Sequence, residues 1–115
     1  MIAHIVLFRP KEAVTPLERS AFAEALERAC RDAPTVRRAL VGQALDVGAG
    51  YLGGLGSASY SHAAVFEFEN RDGLVGYLRH PAHTALSELF WRTCESTVIL
   101  DVEVVDVRVE PAKAI

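Results

Sequence analysis

Two segments of this chain are apolar on both faces that a β-strand would present. In Ile2 to Phe8, the side chains of Ile2, Val6 and Phe8 point one way while Ala3, Ile5 and Leu7 point the other. Thr97 to Val109 repeats the pattern, with Val98, Leu100, Val102 and Val104 backed by Ile99, Val105 and Val107. An antiparallel sheet with one wet face alternates apolar with polar residues. A sheet made from these segments has to be covered on both sides.

The rest of the chain says how much cover it can supply itself. After Arg9-Pro10, Thr15-Pro16-Leu17-Glu18 offers a capping hydroxyl, a proline at the first helical position and a carboxylate where a capping box needs one. Leu17, Ala21 and Ala25 with Phe22, Leu26 and Ala29 form an apolar stripe at helical spacing, which Pro34 ends. Val36 to Val47 and Tyr60 to Glu69 read as the second and third strands, joined by a glycine-rich loop at 48–59. Asn70 caps a short helix through Arg79, Pro81 opens another to about Glu95, and the last strand follows. The order β-α-β-β-α-β, with its second helix split at His80-Pro81, is that of an α+β ferredoxin-like sandwich on an antiparallel sheet. Its helices cover one sheet face only. A second copy of the sheet is the simplest cover for the other, so the sequence predicts a homodimer.

At 115 residues the chain suits one domain, expected over 1–110 with a tail at 111–115. Half of its residues are hydrophobic, enough for a core without metal or disulfide. The net charge of −3 is evenly spread, and no Lys/Arg block could track a phosphate backbone, so no nucleic-acid partner is expected. No run approaches the roughly 18 apolar residues of a membrane span, and none is expected. Met1 to Phe8 has no basic leader or cleavage site, and Cys30 and Cys94, each placed in a helix, read as reduced thiols. The expected location is the cytoplasm.

Gly48-Ala49-Gly50-Tyr51-Leu52-Gly53 has the spacing of a dinucleotide fingerprint, but that motif works only where a helix begins in the turn. Gly53-Gly54-Leu55-Gly56-Ser57 opposes a helix, and the segment reads instead as a hairpin loop that covers a pocket. The histidines are more informative. His4 and His62 stand in apolar strands that should be central neighbours, so on a shared face their imidazoles would meet in one cavity. Proline fixes an extended backbone at His80 and starts a helix, placing His83 in its first turn. There the helix dipole disfavours the imidazolium, leaving a neutral base. The bland alternative is that His80 caps the helix and His83 only packs. Tyr77, one turn earlier, could polarise a carbonyl or simply cover the sheet with Leu74 and Leu78. Asp101 needs a partner on its apolar strand, either an imidazole such as His83 or an Arg such as Arg92. His80 and His83 with His4, His62 or Asp101 could surround a metal, but a proline between ligands is not the usual helical pair; no metal or cofactor is expected.

Met1 to Phe8, Val14-Thr15, Tyr60-Ser61-His62 and Tyr77-Leu78-Arg79-His80-Pro81-Ala82-His83 resemble the stress-responsive α/β-barrel family, Dabb, over residue 1 to about 104. The resemblance implies a dimeric α/β barrel in which two sheets face each other. Plant polyketide cyclases of that family use a base matching His83 and a tyrosine matching Tyr77, with histidines matching His4 and His62 lining the pocket. Ala23 and Leu26 look smaller than the aromatic wall of those cyclases, so substrate identity does not carry over. The resemblance thus implies a small apolar or oxygenated ligand and a cofactor-free cyclase or isomerase using His83 and Tyr77. Alternatives are a non-catalytic ligand-binding or stress-response module and a dimeric-barrel monooxygenase.

Overall fold

The structure, a computed structural model, describes residues 1–49 and 60–115. Among them are four strands, β1 (Ile2–Pro10), β2 (Arg38–Gln43), β3 (His62–Phe68) and β4 (Cys94–Glu103), and three α-helices, α1 (Pro16–Asp32), α2 (Arg71–Leu78) and α3 (Pro81–Thr93). One antiparallel sheet holds them in the order β2-β3-β1-β4, the ferredoxin-like arrangement, with β1 and β3 central as expected.

Local chemistry sets the helix starts. Thr15 Oγ1 accepts from the Glu18 N–H while Glu18 Oε1 accepts from the Thr15 N–H, a complete capping box with Pro16 in the first turn. Asn70 Oδ1 accepts from the Gly73 N–H at the head of α2. His80 Nδ1 accepts from the Ala82 N–H at the head of α3, so His80 is a cap.

The helices pack on the face that carries Val6, Phe8, Ala64, Phe66 and Phe68. Ala29, Leu74, Tyr77, Leu86 and Phe90 come down onto it from above. Leu17 departs from the expected stripe, with 80% of its surface exposed. Helix α1 meets the core only from Phe22 onward, and its first turns overhang a cavity described below.

The opposite face is built from Ile5 and Leu7, from Ala63 and Val65, from Leu40, and from Val98, Leu100 and Val102, which register pairing places on one side. No element of the described residues covers it. Leu40, Val98 and Leu100 are exposed, and the molecule is only 16 Å across its thinnest direction. Arg38 and Glu67, paired across β2 and β3 at 2.7 Å, mark a polar margin of this face.

Three boundaries differ from the sequence expectation. The last strand stops at Glu103, because β1 begins at Ile2 and the Val104 N–H makes a final bond to the Met1 carbonyl. Helix α3 ends at Thr93, whose hydroxyl turns back to the Leu89 carbonyl, so Cys94 opens β4 and is not helical. The second strand covers Arg38–Gln43 and not Val36 to Val47, because β3 begins opposite Gln43. Both cysteines are free thiols, and burial raises both above the ordinary value, which keeps them protonated and poorly nucleophilic. Apart from residues 48 and 49, the glycine-rich segment expected to cover a pocket lies outside the described residues.

Candidate active site

Register assembles the site. His4 pairs with Asp101 on β4 and with Phe66 on β3, so these side chains share the helix-covered face. His4 is 4% exposed, and its Nδ1 lies 2.5 Å from Asp101 Oδ1. A carboxylate oxygen accepts, so Nδ1 is the donor in this pair. From above, the last turn of α2 supplies Tyr77 and the first turn of α3 supplies His83. The Tyr77 ring lies 4.9 Å from that of His83 and 6.0 Å from that of His4, and the two imidazoles are 6.5 Å apart, all edge to face.

Burial holds the His83 imidazole below its ordinary value, and charge on His4 pushes it further down. A hydrogen bond with the Leu78 backbone pulls the other way. His83 is therefore a neutral acceptor at pH 7. Burial, with a smaller contribution from Cys30, holds the Tyr77 phenol well above its ordinary value, so it stays a hydrogen-bond donor. Asp101 does not reach His83, the partner expected for it. It is bonded to His4, its cross-strand neighbour, and would act on His83 only through that ring.

His62 also departs from expectation. It shares a face with His4, but pairs with Phe8 at the other end of β1. Four residues of strand, about 13 Å, separate the two positions, so the imidazoles do not meet. The His62 ring stacks on Phe8 at 5.1 Å, and its Nδ1 lies 2.8 Å from Ser61 Oγ. Burial, then the charges of Arg19 and Arg9, hold it below its ordinary value.

Two cavities follow from this separation. The groove at His4, Tyr77 and His83 continues past Ser87, Trp91 and Ile99 and holds about 30 Å³, roughly the volume of one water. The cavity at His62 holds about 440 Å³, within the usual range for a small-molecule pocket. Phe90 lines the groove, and its ring meets Phe8 at 5.0 Å and Phe22 at 4.7 Å, both of which line the larger space. These three rings form the wall between the two. Sequence spacing missed Ser61, Trp91 and the wall, because their roles come from register and helix placement. Among the described residues, no three His, Cys, Asp or Glu side chains come together in a way that could hold a metal ion. Nor is any described helix long and apolar enough to cross a membrane.

The two lowered imidazoles fix the direction of one pH effect. Above about 6.5, the ordinary value, His62 and His83 are neutral in both folded and unfolded chains. As pH falls below it, the unfolded chain takes up these protons before the folded one, so stability is lost until the lower folded values are passed. The melting temperature should hold steady from pH 8 to 7 and drop towards pH 5.5. The double variant His62→Gln, His83→Gln should flatten that drop. An unchanged pH profile in the double variant would show that other groups set it.

The family model for the Stress Responsive A/B Barrel Domain, Dabb, matches residues 2–104. A stress-response A/B barrel domain-containing protein of Arabidopsis thaliana is 37% identical over 49 residues, covering 43% of this chain and 44% of that protein. The chain thus matches less than half the length of that curated relative. A dimeric ferredoxin-like protein of unknown function from Thermobifida fusca is similar in structure, with a TM-score of 0.67 and 27% identity over 90% of each chain. A hydroxynitrile lyase from Passiflora edulis superposes with a TM-score of 0.75 at 18% identity, covering 91% of this chain and 94% of its own. That last likeness is one of fold.

Proposed function

The chain belongs to the stress responsive A/B barrel domain family, and we propose that it works as a homodimer whose protomers each carry a cofactor-independent proton-transfer site based on His83. The observation that carries this reading is the packing of neutral His83 against Tyr77 and the His4–Asp101 pair, in a groove between the helices and the sheet.

The chemistry follows from the groups. A substrate bearing an acidic C–H beside a carbonyl, such as a polyketone, places that carbon at His83. The imidazole takes the proton, and the C–H electron pair moves into the enolate. Tyr77, held protonated, donates a hydrogen bond to the enolate oxygen. Asp101 holds His4 through Nδ1 and so fixes the orientation of that ring beside Tyr77 and His83; it is a positioning residue. The imidazolium then returns its proton to carbon, giving isomerisation, or to the oxygen formed when the enolate closes on a second carbonyl. Proton transfer and positioning suffice for either outcome.

The experiment is proton exchange in D₂O over a panel of linear 1,3-dicarbonyl and triketide compounds, followed by proton NMR. Enzyme-dependent loss of the signal between the carbonyls supports the reading. Exchange no faster than the buffer rate across the panel would reject it.

A second reading, a ligand-binding module without turnover, is favoured by one observation. The 440 Å³ cavity lies on the far side of the Phe8–Phe22–Phe90 wall from His83.

The open sheet face supports the dimer. Ile5, Leu7, Val98 and Leu100 form an apolar surface with none of the described elements over it, and a second copy would cover it with the same residues.

A further inference from the structure

We propose that His80 is a positioning residue for the proton-transfer pair, pinning the end of α2 that carries Tyr77 to the start of α3 that carries His83. This role rests on the proton-transfer reading of His83 given above. Four hydrogen bonds converge on His80. Its N–H donates to the Tyr77 carbonyl at 3.0 Å, satisfying an acceptor that the end of a helix leaves unpaired. Its own carbonyl accepts from the His83 N–H at 3.0 Å and from the Thr84 N–H at 3.3 Å. Its Nδ1 accepts from the Ala82 N–H at 3.1 Å. Pro81 has no N–H to offer, so this one residue takes up every backbone donor from Pro81 to Thr84.

Three of these bonds are made by backbone and would form with any residue in the same conformation. The fourth needs the ring. Ala82 is buried, and a buried N–H left without a partner is costly. The next residue is the base itself. The His83 ring lies 4.9 Å from that of Tyr77 and is hydrogen-bonded to the Leu78 backbone, so it touches α2 as well as belonging to α3. Loss of the Ala82 bond lets the first turn of α3 move against α2. That changes the distance from His83 to the Tyr77 phenol, which the reaction needs fixed, and a misplacement of about 1 Å can cost about 10²-fold in rate.

Three variants test this. His80→Ala removes the ring acceptor and keeps the backbone bonds. His80→Asn puts back a side-chain acceptor of the kind that Asn70 supplies to α2. Thr15→Ala removes the cap of α1, a helix that does not carry either member of the pair. Each variant is examined in two ways. Without substrate, NMR follows the nitrogen and proton shifts of the His83 ring and the solvent exchange of the Ala82 amide. With substrate, carbon-acid exchange is measured on the 1,3-dicarbonyl panel. In His80→Ala the Ala82 amide should exchange about fivefold faster, as expected for a lost cap, and the His83 ring signals should move. Its kcat should fall about 10- to 10²-fold with KM little changed. His80→Asn should restore both the ring signals and kcat. Thr15→Ala should lower the melting temperature but leave the ring signals and kcat as they were.

Unmoved His83 signals in His80→Ala would overturn the proposal. So would a His80→Asn variant as impaired as His80→Ala, or a Thr15→Ala variant that loses rate equally. The ring and amide measurements use no substrate, so they decide whether His80 holds His83 in place even when no compound of the panel exchanges. That last result rejects the proton-transfer reading and is separate from the outcome for His80.

Discussion

His83→Ala is expected to lower carbon-acid exchange by about 10²- to 10⁴-fold, the usual contribution of a positioned general base, while the domain stays folded. His83 is only partly buried and lies in the first turn of a helix whose cap is His80, so its removal leaves both cap and core in place. A melting temperature close to that of the unchanged protein, together with lost exchange, separates chemistry from packing. Tyr77→Phe keeps the ring contacts and removes only the hydroxyl. It should raise the barrier through lost enolate stabilisation, with a smaller loss of rate. Asp101→Asn should show an intermediate defect and a shifted pH–rate profile, because it acts through His4. Exchange that continues at the full rate in His83→Ala would end the proton-transfer reading, and the binding-module reading would then stand.

The second large effect belongs to the open sheet face. Leu100→Asp should turn the dimer into a monomer in sedimentation or native mass spectrometry. Leu100 is 57% exposed in the single chain and lies beside Val98, Val102 and, across β1, Ile5. Burying a leucine contributes about 1.5–3 kcal/mol, and a two-fold interface counts each substitution twice. Losing that, and forcing carboxylates into an apolar contact, should raise the dissociation constant at least about a thousandfold. Val98→Lys on the same face gives an independent version with a different charge. A dimer that persists in both variants would show that the chains meet elsewhere.

How much of this was legible beforehand depended on the kind of information each residue carries. Thr15, Pro16, Asn70 and Pro81 act on their immediate neighbours, and the helices they start lie where spacing put them. The two-sided pattern of β1 and β4 gave the bare sheet face for the same reason, since alternation along a strand is local. His62 was misplaced because two central strands can share a face while their polar residues lie at opposite ends. Only register decides that, and register is set by pairing along the whole strand. Asp101 was assigned to the wrong imidazole for the same cause. The run from Val104 to Val109 reads as strand by composition, but pairing ends with the Val104 N–H bond to the Met1 carbonyl, and the residues after it lead into a turn.

The wall of Phe8, Phe22 and Phe90 has a consequence for time as well as space. A molecule larger than water reaches His83 only as the groove beside Trp91 and Ile99 widens. A long one, seated in the larger chamber, reaches the same imidazole only after Phe90 swings out of an edge-to-face contact with two other rings. Turnover would then sort molecules by length through waiting time, with the ring's rotation rate as the clock. A single codon change at position 90 would reset it.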